Sequence, residues 1–405
     1  LSIASQATGR SQLRHGVLIG IMCVIMLGGS ERSAVAQQTV SGILSFLLTN
    51  RSIPTGNLVQ DEQAASETRD TISGLLLLDL ATLPVSSSPG GFTYRLNPDL
   101  GTNERSSQSF GPFFIERSLT AGTHGASLGL NFQSASFDTI DGRSLRDGTL
   151  IATATKFHNQ AQPFDVETLT LRIRASTVTV VANYGVTDQL DVGVAVPFIA
   201  LSLDGQRIDT YHGQAALQAA ASITATGLGD VDLRTKYNVW RSGGTGFAIG
   251  SEVRLPTGND QNLLGAGKAS ARPFLVGSVD QGRVALHGSL GYIFGGLSRE
   301  VNYGGAVILA GTSRLTLVGE LSGRHVAKLG TLTEITEPNP TIAGVDTVRL
   351  GSTGLATERL DAIAGFKWNP AATWLLSVSV ARPLTTTGLN ASWTPGVTLD
   401  YSFGR

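Results

Sequence analysis

The sequence predicts an all-β protein: a transmembrane antiparallel up-and-down β-barrel of about 14 strands, with 12 as the alternative, and a short helical N-terminal extension. Three observations carry this reading. Long segments alternate apolar and polar residues with a period of two, tight and long links alternate along the chain, and the composition fits a wall that is wet on one side only. Charged residues are 15% of the 405, against roughly 25% in soluble globular chains. Hydrophobic content is 41% and glycine is plentiful at 49 residues. A soluble chain so poor in charge would need a richer apolar core. The net charge of −1 argues against a nucleic-acid partner, since phosphate binding needs a basic face.

The N-terminus reads as an export signal over residues 1–36. Arg10, Arg14 and His15 precede an apolar run from Val17 to Gly29, and Ala34-Val35-Ala36 offers a small-x-small cleavage site. The run of about 13 residues is short of the ~20 a spanning helix needs, so the mature chain is expected to start at Gln37. Cys23 is the one cysteine and falls within the signal. The mature chain then has no thiol for a disulfide, a Cys-based zinc site or a nucleophile.

Residues 37–90 read as a periplasmic extension or plug. Val40, Ile43, Leu44, Leu47 and Leu48 recur at helical spacing, Pro54 and Gly56 break the chain, and a second helical stretch runs from about Asp61 to Leu80. It ends near Pro84 and the Ser86–Gly91 linker. The barrel is expected over 91–405.

Within the barrel, Val231, Leu233, Tyr237 and Val239 face one way, and Asp232, Arg234, Lys236 and Asn238 the other. Phe247, Ile249, Val253 and Leu255 repeat the pattern, as do Leu360, Phe366 and Trp368, and then Val397, Leu399, Tyr401 and Phe403. Strands of about ten residues suit a tilted crossing of the hydrocarbon. Tight links at 185–188, 241–244, 280–282, 311–313 and 369–372 alternate with long ones at 138–167, 204–228, 256–267, 328–358 and 385–392. Short periplasmic turns and long extracellular loops are the habit of outer-membrane barrels. The weakest strand candidates are the first two, 91–96 and 107–118. Tyr184, Trp240, Trp368 and Trp374 flank tight turns and Trp393 lies near a long loop, which suits two interfacial aromatic belts. Two places slip phase: Leu169, Leu171 and Ile173 give way to Val178 and Val180, which predicts a β-bulge near Ser176, and a second slip falls between Phe198 and Leu201.

If the apolar face meets lipid, the lumen is lined by Arg172, Arg174, Asp191, Asp232, Arg234, Lys236, Glu252, Arg254, Glu320, Arg324, Asp361, Lys367 and Asp400. The mixed signs fit a weakly selective polar path, or equally a lumen closed by cross-strand ion pairs. His287-Gly288-Ser289 superficially resembles the His and Ser of an outer-membrane phospholipase. Val284, Leu286, Leu290 and Tyr292 claim the lipid side, however, so His287 points inward, and the neighbouring strands offer no evident Asn partner. The other histidines are scattered, so neither a metal nor a cofactor is expected.

Three motifs carry a family resemblance: Tyr184-Gly185-Val186-Thr187-Asp188-Gln189-Leu190-Asp191-Val192-Gly193 through Val196-Pro197, Gly227-Leu228-Gly229-Asp230-Val231-Asp232-Leu233-Arg234-Thr235-Lys236-Tyr237, and Leu255-Pro256-Thr257-Gly258. Their order and spacing resemble the outer-membrane transporters associated with the MetA pathway of phenol degradation, over about residues 168–405. The resemblance implies an outer-membrane barrel and uptake of aromatic or other hydrophobic compounds, and it carries no catalytic residues.

The expected function is a passive channel. Solute enters between the long loops, passes the charged ladder and leaves past the N-terminal segment. Its partners are outer-membrane lipid, a small-molecule solute and the barrel-assembly machinery. The alternatives are a closed structural or surface-display barrel and an outer-membrane lipid hydrolase.

Overall fold

The structure, a computed structural model, describes residues 38–81, 94–97, 102–105, 109–371 and 373–403. The expected signal peptide and the Pro84–Gly91 linker lie outside the described residues. Helix α1 spans Val40–Leu48 and α2 Leu58–Ala81. Thr39 caps α1, its side-chain oxygen accepting the N–H of Gly42 at 3.1 Å. Val40, Ile43, Leu44, Leu47 and Leu48 form the buried face of α1, as their spacing requires.

Strands β1 (Tyr94–Asn97) and β2 (Thr102–Arg105) pair only with each other. The remainder are β3 (Ala126–Ile140), β4 (Arg143–Ser144), β5 (Leu150–Phe157), β6 (Asp165–Gly185), β7 (Leu190–Tyr211), β8 (Gln214–Leu228), β9 (Val231–Ser242) and β10 (Thr245–Leu255). They continue with β11 (Ser270–Gln281), β12 (Val284–Gly295), β13 (Glu300–Ala310), β14 (Leu315–Val326) and β15 (Leu332–Pro338). The last are β16 (Val345–Ser352), β17 (Thr357–Ala371), β18 (Trp374–Pro383), β19 (Leu389–Ala391) and β20 (Thr394–Phe403).

Twelve strands form the antiparallel wall, in the order β3-β6-β7-β9-β10-β11-β12-β13-β14-β17-β18-β20 and back to β3. The smaller of the two expected counts is therefore the right one. Of the two weak candidates, the described part of the first, residues 94–96, belongs to the separate β1–β2 hairpin, and that of the second, residues 109–118, crosses the lumen without strand pairing. The tight links all lie at one end of the wall. At the other end Gly296–Arg299 is the one short connection among longer ones.

At that other end the six further strands β4, β5, β8, β15, β16 and β19 build a crown. Strand β5 runs beside the outer half of β6 (Thr155↔Asp165), and β8 runs beside the outer half of β7 (Leu203↔Ile223). The β15–β16 hairpin lays β16 against β5 (Val348↔Ala154). Both helices pack inside this crown. Val40 and Ser41 bond to the 256–269 loop, α1 leans on β7 and β8, and α2 leans on β16. The helices cap the long-loop end of the wall. Their leucines pack on the apolar inner face of the crown and of the adjoining parts of β3, β6 and β7.

That apolar wall also removes the expected bulge. Strand β6 pairs with β7 in unbroken register from Asp165↔Tyr211 to Gly185↔Asp191. Leu169, Leu171, Ile173, Thr177 and Thr179 all face inward and are buried. The phase change read at Ser176 is thus a change of surroundings along one straight strand. Below it, the inner face is polar and Val178 and Val180 face lipid. Above it, the inner face packs on helices and Arg172 and Arg174 face water. The second slip has the same cause: Phe198 points outward while Ile199, Leu201 and Leu203 join the helix-packed core.

Candidate functional site

The wall turns Asp191, Asp232, Arg234, Lys236, Glu252, Arg254, Glu320, Arg324, Asp361, Lys367 and Asp400 into the lumen, because their neighbours Leu233, Tyr237, Val253, Leu321, Phe366 and Leu399 occupy the outer surface. Arg172 and Arg174 are corrections: both are exposed on the outside of the crown. Tyr184, Trp240, Trp368, Trp374 and Trp393 also sit on the outer surface.

Several lumen charges form ion pairs, two of them across neighbouring strands and Arg359–Asp361 within β17. Arg254 Nε meets Asp232 Oδ1 at 3.0 Å, Arg272 meets Glu252 at 2.5 Å, and Arg359 Nε meets Asp361 at 2.9 Å. The guanidiniums of Arg234 and Arg272 each lie over the Phe274 ring, 5.2 Å from its centroid.

Asp191, Arg234, Lys236, Glu320 and Lys367 bind a strap, residues 109–121, that crosses the lumen towards the tight-turn end. Glu320 accepts the backbone N–H groups of Phe113, Phe114 (2.9 Å) and Ile115 (3.2 Å). Lys367 donates to the Pro112 carbonyl at 2.7 Å, and Lys236 donates to the carbonyls of Arg117 and Leu119 at 3.1 and 2.8 Å. Asn238 donates to the Ser118 carbonyl at 2.8 Å. The Ser118 N–H donates to Ser278 Oγ, and the Ala121 N–H to Asp191 Oδ1, at 2.8 and 2.9 Å. Glu116 of the strap forms an ion pair with Arg234.

The wall thus grips this segment largely by its backbone. Hydrogen bonds to a charged group contribute about 1.5–3 kcal/mol each, and a charge buried alone is costly. Strap and wall charges therefore satisfy one another. His287 belongs to the same arrangement: its Nδ1 lies 2.8 Å from Ser278 Oγ, and Ser289 is not its partner. The sequence reading missed the strap because its apolar residues suggested a strand. The signal present was Gly111-Pro112, which breaks a ladder.

The helical cap is held by comparable contacts. Arg207, fully buried, donates to the Leu47 and Thr49 carbonyls and pairs with Glu167 at 3.1 Å. Asp61 pairs with Arg349 at 2.6 Å. In the last turn of α2, Asp79 pairs with Arg359, and Arg324 donates to the Leu78 carbonyl at 3.0 Å. Burial pushes the Asp79 carboxyl up to about 6, and Arg359 beside it only partly restrains the rise.

Two cavities flank that turn, and Leu80 lines both. The inner, about 50 Å³, lies towards Phe114 of the strap and includes Asp79, Gln133 and Phe137. The outer, about 70 Å³, lies by the rim among Leu77, Ile199, Leu264, Ile293 and Leu329. Such an arrangement can hold small molecules. Among the described residues no group of three His, Cys, Asp or Glu side chains is placed to hold a metal.

Residues 147–304 match the family described as "Putative MetA-pathway of phenol degradation". That stretch contains the motifs beginning at Tyr184, Gly227 and Leu255 on which the resemblance was read. No curated protein matches the chain. Among solved structures the chain is similar to the COG4313 outer membrane channel from Pseudomonas putida F1, with 12% identity over 71% of this chain and 98% of that one, at a TM-score of 0.47. The Ralstonia pickettii toluene transporter TbuX aligns at 11% identity over 80% and 98%, with a TM-score of 0.29. The CymD monoaromatic hydrocarbon channel aligns at 10% identity over 70% and 90%, also at 0.29.

Proposed function

We propose that this chain is an outer-membrane channel for passive entry of small, largely apolar solutes, closed at rest by its own strap and helical cap. The observation that carries this reading is the strap's attachment. A closed wall with an apolar exterior commits inward charges to the backbone of a segment that is no part of its ladders. The family match supports an aromatic or hydrophobic cargo. Solute enters at the crown, passes the last turn of α2, and leaves as the strap shifts towards the tight-turn end.

In this reading the tight turns face the periplasm and the exposed aromatics at both ends sit in the interfacial belts. Residues 1–36 are the export signal, and the barrel-assembly machinery inserts the chain among outer-membrane lipids. The lumen-facing charges act on solute indirectly, by fixing strap and cap.

The filled lumen also supports a second reading, a permanently closed barrel that displays its crown. Planar-bilayer recording of refolded protein separates the two. A channel gives brief or low openings that become steady when the strap is released by Glu320→Ala. A display barrel stays silent in both forms.

A further inference from the structure

We propose that the last turn of α2 divides a binding site for small apolar molecules bearing one hydroxyl donor, with Leu80 as the movable partition. The inference rests on the passage reading for how a ligand arrives, and on the two cavities for where it stops. The outer cavity is walled chiefly by aliphatic side chains at the rim. The inner one adds Phe114, Phe137, Ala175 and Ile363. Into it face two buried acceptors that meet no donor among the described residues, Asp79 Oδ2 and Gln133 Oε1.

An acceptor buried without a donor is costly, so such groups await a partner. Here about half of the lining is apolar, beside the Arg359–Asp361 pair and the hydroxyls of Thr177, Ser322 and Thr394, and neither acceptor takes a hydrogen bond from these groups. A ligand with a single hydroxyl on a hydrocarbon body fits both facts. An ether of the same size does not, because it brings a further acceptor.

Size assigns the role of Leu80. A cavity holding a benzene ring measures ~150 Å³, and neither cavity reaches that alone. Merged through the space that a retracted Leu80 leaves, they do. The turn has the means to stay in place while the side chain moves, because the two residues before Leu80 are anchored, Leu78 through its carbonyl to Arg324 and Asp79 through its carboxylate to Arg359.

The test is isothermal titration of the detergent-solubilised full chain with benzyl alcohol and with anisole, against empty micelles. The two are isomers, and only the alcohol donates a hydrogen bond. Benzyl alcohol is expected to bind about fivefold more tightly. Gln133→Met reduces that preference to less than twofold, and Gln133→Glu, which keeps an acceptor, retains it. Leu80→Trp abolishes binding of both isomers, whereas Leu80→Ala binds both with the preference intact. Equal affinities in the parent chain, a preference untouched by Gln133→Met, or full binding in Leu80→Trp overturns the proposal. Bilayer currents are recorded on the same preparations. Current with equal isomer affinities leaves the channel standing without this site. A Gln133-dependent preference with no current in any variant leaves the site and removes the channel.

Discussion

The carboxylate of Glu320 on β14 lies 2.9 Å from the backbone nitrogen of Phe114, a residue 206 positions earlier that enters the lumen as part of the strap. The same carboxylate accepts the flanking N–H groups of Phe113 and Ile115. One wall residue thus satisfies three consecutive donors of a segment that forms no ladder of its own. Each donor buried without such a partner costs about 1–3 kcal/mol.

Glu320→Ala is therefore expected to loosen the strap while leaving the wall closed. Conductance should rise severalfold, and residues 109–121 should become sensitive to protease from the tight-turn side. Unaltered current together with an intact strap would show that Glu320 is not its anchor.

Arg207 is the corresponding anchor for α1. Arg207→Met removes the donor to Leu47 and Thr49 and strands Glu167 as a buried charge, a loss of about 3–5 kcal/mol. Hydrogen exchange over residues 40–49 should accelerate at least tenfold, with little change in the lower wall strands. Equal acceleration throughout the barrel would mean that the cap and wall unfold as one unit.

Docking of α2 should weaken as pH rises. Asp79 has its carboxyl raised to about 6 from an ordinary value near 4. Between those values the folded state binds more protons than the unfolded state, so stability falls with increasing pH, by about 3 kcal/mol in total. It is fully present below pH 4 and lost by pH 6 to 7. Exchange protection of residues 72–80, corrected for intrinsic rates, should be higher at pH 5 than at pH 7, and Asp79→Asn should flatten the dependence. A flat profile in the parent chain would contradict the assignment.

The straight course of β6 can be tested in whole cells, because Cys23 is the only natural cysteine. Single cysteines at Arg172 and Arg174 should react with a membrane-impermeant maleimide, and cysteines at Val178 and Val180 should not. Labelling at Val178 would place the water boundary lower on the strand than the inversion of its faces requires.

Arg234 and Arg254 were read from sequence as lining a solute path. Each instead has an acidic partner, Glu116 and Asp232. Changing both to Ala leaves those carboxylates uncompensated in the lumen, so reversal potentials should shift towards cation selectivity once the strap is released. An unchanged reversal potential would take both positions out of the ion path.

How much the sequence disclosed follows from which forces act locally. The period of two in Asp230–Trp240 and Arg359–Asn369 records a wall with two unlike faces, with Lys236, Lys367 and their inward neighbours on the face turned away from the exposed apolar side chains. The spacing of Val40, Ile43, Leu44, Leu47 and Leu48 likewise marked α1 and its buried face. These patterns are written along a single segment, so one chain suffices to read them. The helices' position, the strap and the facing of Arg172 and Arg174 are different in kind. Each depends on what another part of the chain brings alongside: leucines of α1 and α2 against the crown, and the backbone of 112–119 against Glu320, Lys236 and Lys367. Periodicity reports that a strand has two unlike sides. Only the closed tertiary structure decides whether lipid, water or protein occupies each side, because that choice belongs to the segment packed opposite.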